Sequence, residues 1–214
     1  MPDFRQLLRD TYSCSTCPQS FGFAVSPNGS YFKFPPTIGA QGQADILFVG
    51  INPRRSQSNL GLHDSLMSSK RAFADLSANR HDGQPYISHP VGEPHYFAHL
   101  DLIRQIYGRP RPFESCAVVT ELFLCASKTS KGLPYPDSPC ATRFLPNVLA
   151  LVKPKVIVAV GSRVFNYFST DSGQTISHDI PVVKMPHPGN SKISPQQLRT
   201  QTAACVAKLR EHLV

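Results

Sequence analysis

Lys153-Pro154-Lys155-Val156-Ile157-Val158-Ala159-Val160-Gly161 is the stretch that decides how this chain folds. Lys153-Pro154 cannot continue a helix, because the proline ring pushes the preceding residue out of helical geometry. The run that follows is short, rich in Val and closed by glycine, which is the composition of a buried strand. Immediately upstream, residues 141–152 carry Phe144, Leu145, Val148, Leu149 and Val152 on one helical stripe. A helix feeds directly into a strand.

The same alternation extends outward in both directions. Further strand-like runs occur at 45–49, 116–120 and 180–183. Residues 96–107 place Phe97, Leu100, Ile103, Ile106 and Tyr107 on a helical stripe. The last helix opens with Ser194 as N-cap, Pro195 at its first position and Gln197 closing a capping box. Its apolar face is Leu198, Cys205, Val206, Leu209 and Leu213. Strands and helices alternating at these lengths predict an α/β three-layer sandwich, with a central, mainly parallel four-stranded sheet flanked by helices. Ligands of such sheets bind beyond the carboxyl ends of the strands. Gly50-Ile51-Asn52-Pro53 and His187-Pro188-Gly189-Asn190 both follow strands, so both are expected to border one crevice.

A length of 214 residues suits a single domain spanning 1–214. Residues 20–42, rich in Pro, Gly and aromatics, read as a wrapping loop. Residues 54–94 are long and polar, with one weak helical patch at 66–76, and read as a lid or insertion. Hydrophobic content of 41% with 17% charged residues is ordinary for a globular protein. A net charge of +8 favours an anionic partner, of which nucleic acid is the commonest. No charged-then-apolar leader is recognisable, and no apolar run approaches the ~20 residues of a membrane span. The expectation is a cytoplasmic monomer with no membrane association, whose thiols stay reduced and bind metal where they cluster.

Cys14 and Cys17 form a C-x2-C pair, and Cys125 and Cys140 flank a loop rich in Lys, Pro and Ser. Four thiolates from two distant segments make a metal site. One short pair with one wide pair favours a cubane iron–sulfur cluster over zinc, whose ribbons use two short knuckles. Zinc and unliganded core thiols stand as the alternatives. Lys128 and Lys131 in the wide loop would then belong to a basic segment stapled by the metal. Cys116 lies in a strand-like run and Cys205 on a helix-like one, so both read as small core residues.

The quartet in this order resembles the iron–sulfur branch of the uracil-DNA glycosylase superfamily. So do Ala44-Asp45-Ile46-Leu47-Phe48-Val49-Gly50, the 153–161 strand, and Ile180-Pro181-Val182-Val183 leading into His187-Pro188. The likeness runs from the start through Pro53 and again from about Tyr96 to the end; 54–94 do not share it. Gly50-Ile51-Asn52-Pro53 resembles the mismatch-specific branch instead of the Glu-containing turn usual beside the cluster.

The resemblance implies a monofunctional DNA glycosylase of base excision repair carrying one [4Fe-4S] cluster on Cys14, Cys17, Cys125 and Cys140. Its substrate would be DNA containing uracil or another deaminated or damaged base, flipped into a pocket. Asn52 would orient the attacking water, since an amide cannot take a proton, and His187 would donate to the departing base. Gly50, Ile51, Tyr96 and Glu121 would line the base pocket, with Tyr86 and Phe97 as further candidates for its aromatic wall. Phe97 lies on the apolar stripe and suits the core better. Arg54, Arg55, Lys128, Lys131, Pro188, Gly189, Asn190, Ser191 and Lys192 would meet DNA. No Lys occupies a recognisable nucleophile position, so strand cleavage is not expected.

One departure is chemical. The family usually carries Thr-Asn where this chain has Thr120-Glu121. A carboxylate accepts from a ring N–H but repels a carbonyl, unless burial keeps it protonated. Two rival readings follow: a non-catalytic iron–sulfur nucleic-acid-binding protein of the same fold, and a zinc-bound structural or RNA-associated protein. His89, His95 and His99 lack a carboxylate to complete a ligand set and read as pocket rim or surface.

Overall fold

The computed structural model describes residues 4–17, 43–51, 80–81, 84–85, 92–109, 111, 115–125, 133–190 and 192–214. The expected loop at 20–42 and the helical patch at 66–76 lie outside these residues. Four strands form the central sheet: β1 (Ile46–Gly50), β4 (Ala117–Glu121), β5 (Val156–Val160) and β6 (Val182–Met185). Their order is β4-β1-β5-β6 and every neighbouring pair is parallel. A two-stranded antiparallel ribbon, β2 (Arg80–His81) with β3 (Gln84–Pro85), falls within the expected insertion.

Parallel strands need crossovers, and helices supply them. The described helices are α1 (Phe4–Ser13), α2 (Gly92–Tyr107), α3 (Pro139–Val152), α4 (Ser162–Tyr167), α5 (Asp171–Ser177) and α6 (Pro195–Leu213). Side chains alternate along each strand, so two separate cores arise. Leu47, Val49, Val118, Ile157 and Ala159 pack with Leu7 of α1 and with Phe144, Leu145 and Val148 of α3. Ile46, Phe48, Val119, Val158 and Val160 pack with Leu102, Ile103 and Ile106 of α2 and with Cys205, Val206 and Leu209 of α6. Helices cover both faces, so the three-layer α/β sandwich stands. Cys116 and Cys205 are buried core residues, as their neighbours in sequence imply.

Both ends of α3 and the start of α6 have local causes. Lys153 takes a left-handed conformation (φ 49°) and its N–H closes α3 on the Leu149 carbonyl, which turns the chain into β5. Ser138 caps the other end of α3, accepting from the Ala141 N–H at 3.1 Å. Ser194 and Gln197 complete the capping box of α6 through reciprocal bonds of 3.2 and 2.8 Å. Ser194→Ala removes one of these and is expected to cost about 1 kcal/mol of stability. Denaturant unfolding of the two proteins measures it. No helix among the described residues is long and apolar enough to cross a membrane.

Candidate functional site

All four strands run the same way, so their carboxyl ends share one edge. Gly50 pairs with Glu121, Val49 with Ala159, and Val160 with Met185. Glu121, Gly50, Val160 and Met185 therefore stand in one row across that edge, and Ile51, Gly161 and His187 lie just beyond it. Gly50-Ile51 and the segment that carries His187 therefore leave the sheet at the same edge.

The backbone of the first turn is held by the chain leaving β4. Leu122 N–H donates to the Gly50 carbonyl at 2.9 Å, and Phe123 N–H to the Ile51 carbonyl at 3.0 Å. That leaving segment is tied in turn to α3, because the Ser138 hydroxyl donates to the Leu122 carbonyl. A Cβ on Gly50 would collide with the Glu121 carboxyl group, so any larger residue here would have to displace it. Glu121 occupies the space that a side chain at position 50 would need. It is only 7% exposed, and burial pushes its pKa well above the usual carboxylate range.

His187 has a defined tautomer. The Gly189 N–H donates to its Nδ1 at 3.1 Å, so Nδ1 must be unprotonated and Nε2 carries the ring proton. The imidazole is thus neutral with a donor at Nε2. Asn190 N–H donates to the His187 carbonyl, and Lys192 N–H to Asn190 Oδ1, which closes the turn. Gly161, at φ 88°, lies beside the His187 side chain: a Cβ there would meet His187 Cβ at 3.4 Å, an ordinary contact, so its positive φ is what favours glycine. Pro188 is half-buried, whereas Gly189, Asn190 and Lys192 are exposed.

On the opposite face of the sheet, Cys14, Cys17, Cys125 and Cys140 all belong to the core packed around α3. All are free and buried. A hydrogen bond with Cys125 pushes the Cys140 thiol up to about 12, and one with Cys17 opposes it. The Cys140 thiol thus lies within hydrogen-bond reach of both Cys125 and Cys17. The fourth, Cys14, receives an N–H from Arg143 at 3.6 Å and lies 3.5 Å from the Thr16 hydroxyl. Among the described residues no group of three or more His, Cys, Asp or Glu side chains is set out to hold a metal ion. As placed, these are hydrogen-bonded thiols.

Asn52, Arg54, Arg55, Tyr86, Lys128, Lys131 and Ser191 lie outside the described residues, as does most of 54–94. Tyr96 is on α2, with its side chain outside the described part. A cleft of about 470 Å³ opens between α2 and α6 beside Pro186 and Pro188, yet neither Glu121, Gly50 nor His187 lines it. It adjoins the His187 turn and is not the base pocket expected from sequence.

His99 corrects an expectation. Read from sequence as rim or surface, it is fully buried and stacks on Phe48 of β1, with ring centroids 4.2 Å apart. Its place on α2 faces the sheet, with Leu102, Ile103 and Ile106. Other residues that build the site gave little signal: Ser138 through its cap, Gly161 through its positive φ, and Arg143 beside Cys14.

The sequence model of the uracil DNA glycosylase superfamily matches residues 36–213. The chain belongs to the uracil-DNA glycosylase superfamily. The match takes in the whole central sheet and both carboxyl-edge turns of this superfamily member, and within it lie Cys125 and Cys140, while Cys14 and Cys17 precede it. No curated protein matches the chain.

Proposed function

We propose that this protein is a monofunctional DNA glycosylase that hydrolyses the bond between deoxyribose and a deaminated or damaged base flipped out of DNA. The observation that carries the reading is the fixed tautomer of His187. As the glycosidic bond breaks, positive charge grows on the sugar and negative charge on a base oxygen. A neutral imidazole with Nε2–H at the sheet edge is a preorganised donor for that oxygen. Asn52, two residues past Gly50, orients the attacking water through its side-chain carbonyl. Gly50, Ile51, Glu121 and Tyr96 form the base pocket. Arg54, Arg55, Lys128, Lys131 and residues 188–192 engage phosphates and the minor groove, in keeping with a net charge of +8.

Cys14, Cys17, Cys125 and Cys140 suit a [4Fe-4S] cluster in number, thiol chemistry and shared burial in one core, though as placed they are not yet set out around a metal. When bound, the cluster supplies cross-linking of α1, α3 and the segment after β4. The four thiols would have to give up their protons to hold it, and Arg143 beside Cys14 would offset part of the charge left on sulfur. Nothing in the chemistry at the carboxyl edge calls on it. The protein works as a monomer in the cytoplasm, with residues 54–94 as a lid or insertion.

Duplexes holding single uracil, hypoxanthine or xanthine residues, treated with the protein and then alkali, test the reading. Strand scission at a modified base supports it. Binding with no scission on any duplex favours a non-catalytic nucleic-acid-binding protein, a rival favoured by Glu121 standing where the family usually has Asn. Asn52→Ala is expected to fold normally and to slow excision by about 10²-fold through lost positioning of water. Unimpaired excision would remove Asn52 from the mechanism.

A further inference from the structure

Glu121 ends β4 on a level with Gly50. Val119, two residues before it, points into the core shared with α2 and α6, so the Glu121 side chain leaves the sheet on that same face. Its carboxyl group fills the space over Gly50, at the edge where Ile51 and the His187 turn also lie. Oε2 is buried and has no hydrogen-bond partner among the described residues. A buried polar atom aimed over a glycine, at a ligand-binding edge, is a group set aside for a ligand.

The surroundings decide its charge state. β1 brings only Gly50 and Ile51, neither of which titrates. α2 brings His99, buried against Phe48, with Asp101 and Arg104 on its exposed side. The turn after β6 brings His187, whose Nδ1 is occupied by the Gly189 N–H, and exposed Lys192. Burial favours the protonated form of the Glu121 carboxyl. A protonated carboxyl differs from a carboxylate in kind: it offers one donor beside one acceptor. That is the pattern of a primary amide.

Building on the glycosylase reading, we infer that Glu121 reads the flipped base as a carboxylic acid, its hydroxyl donating to a base carbonyl while its other oxygen accepts from the adjacent ring N–H. The substrate class is then a base with a lactam edge, such as uracil or hypoxanthine. Bases whose edge lacks that N–H, or that present an amino group in place of the carbonyl, are rejected because buried polar atoms are left unmatched. Ionisation would leave two acceptors facing a carbonyl and abolish the fit. Glu121 thus takes over the role of the usual Asn without the usual residue.

The test compares the full-length protein with Glu121→Gln and Glu121→Ala, by single-turnover excision from duplexes carrying uracil, hypoxanthine or N3-methyluracil, from neutral to alkaline pH. The wild type is expected to excise a lactam base and to process N3-methyluracil at least about 10²-fold more slowly than uracil. Its excision rate should fall as pH rises and the carboxyl ionises. Glu121→Ala should lose excision, and Glu121→Gln should regain most of that loss and stay active to higher pH than the wild type. A folded Glu121→Gln as inactive as Glu121→Ala would overturn the proposal in favour of a carboxylate that activates water. Equal excision of uracil and N3-methyluracil, or identical pH profiles for wild type and Glu121→Gln, would overturn it too. Excision of only a base without a lactam edge sinks Glu121's role but leaves the glycosylase reading intact; excision of no base sinks both.

Discussion

His187→Ala should slow base excision by about 10²–10³-fold, the usual effect of removing one preorganised donor to a developing anion. The Nε2–H is the donor because the Gly189 amide already occupies Nδ1. The half-buried ring packs over Gly161 and contributes little to the two cores, so thermal unfolding should move only slightly. A His187→Ala protein with unaltered single-turnover rates would show that the departing base is stabilised elsewhere. Measuring binding to uncleaved duplex alongside separates loss of catalysis from loss of the DNA-facing turn.

How much of this was legible in the sequence depends on whether a local rule or a tertiary contact governs the residue. β5 was legible because five consecutive apolar residues between Lys155 and Gly161 suit a strand buried on both faces. The start of α6 was legible because a capping box is a contact between residues three apart. Strand ends were shifted by one or two residues where polarity misled. Glu121 looks like the residue after a strand, yet it stays in the ladder because Gly50 leaves room for its carboxyl. On α2 the expected stripe of Phe97, Leu100, Ile103, Ile106 and Tyr107 includes the buried Ile103 and Ile106, but the buried face also takes in His99 and Leu102, while Leu100 and Tyr107 are only partly buried. A histidine counts as polar in any pattern, and only its stacking on Phe48 makes it a core residue. α5 was illegible for a different reason: Asp171–Ser177 has one large apolar residue, Ile176, and is set by the Thr170 cap and by Gly173 passing close to the Tyr167 carbonyl. At the candidate site, the placement of Gly50 at the end of one strand and of His187 just after another was readable. The tautomer of His187 and the burial of Glu121 were not, because each depends on atoms brought up by the fold.

Cys125→Ala is expected to yield a colourless protein in place of a brown one, lacking iron and sulfide on analysis, with a melting temperature lower by about 10 °C. The size of the drop follows from what the cysteines join. Cys125 ends the segment whose Leu122 and Phe123 amides hold the carbonyls of Gly50 and Ile51. Cys140 lies in the first turn of α3, whose cap Ser138 grips that same segment, and Cys14 and Cys17 follow α1. A cluster joining all four would lock α1, α3 and the first turn together, so its loss should loosen the catalytic edge from the opposite face of the sheet. Cys205→Ala is the control. Cys205 is equally buried but lies in the other core, between α6 and the sheet, so it should cost only the ordinary few kcal/mol of a small cavity and leave the colour unchanged. A wild-type protein that is colourless and rich in zinc would assign the same four sulfurs to a different metal. A Cys125→Ala protein as brown and as stable as the wild type would mean that Cys125 ligates nothing.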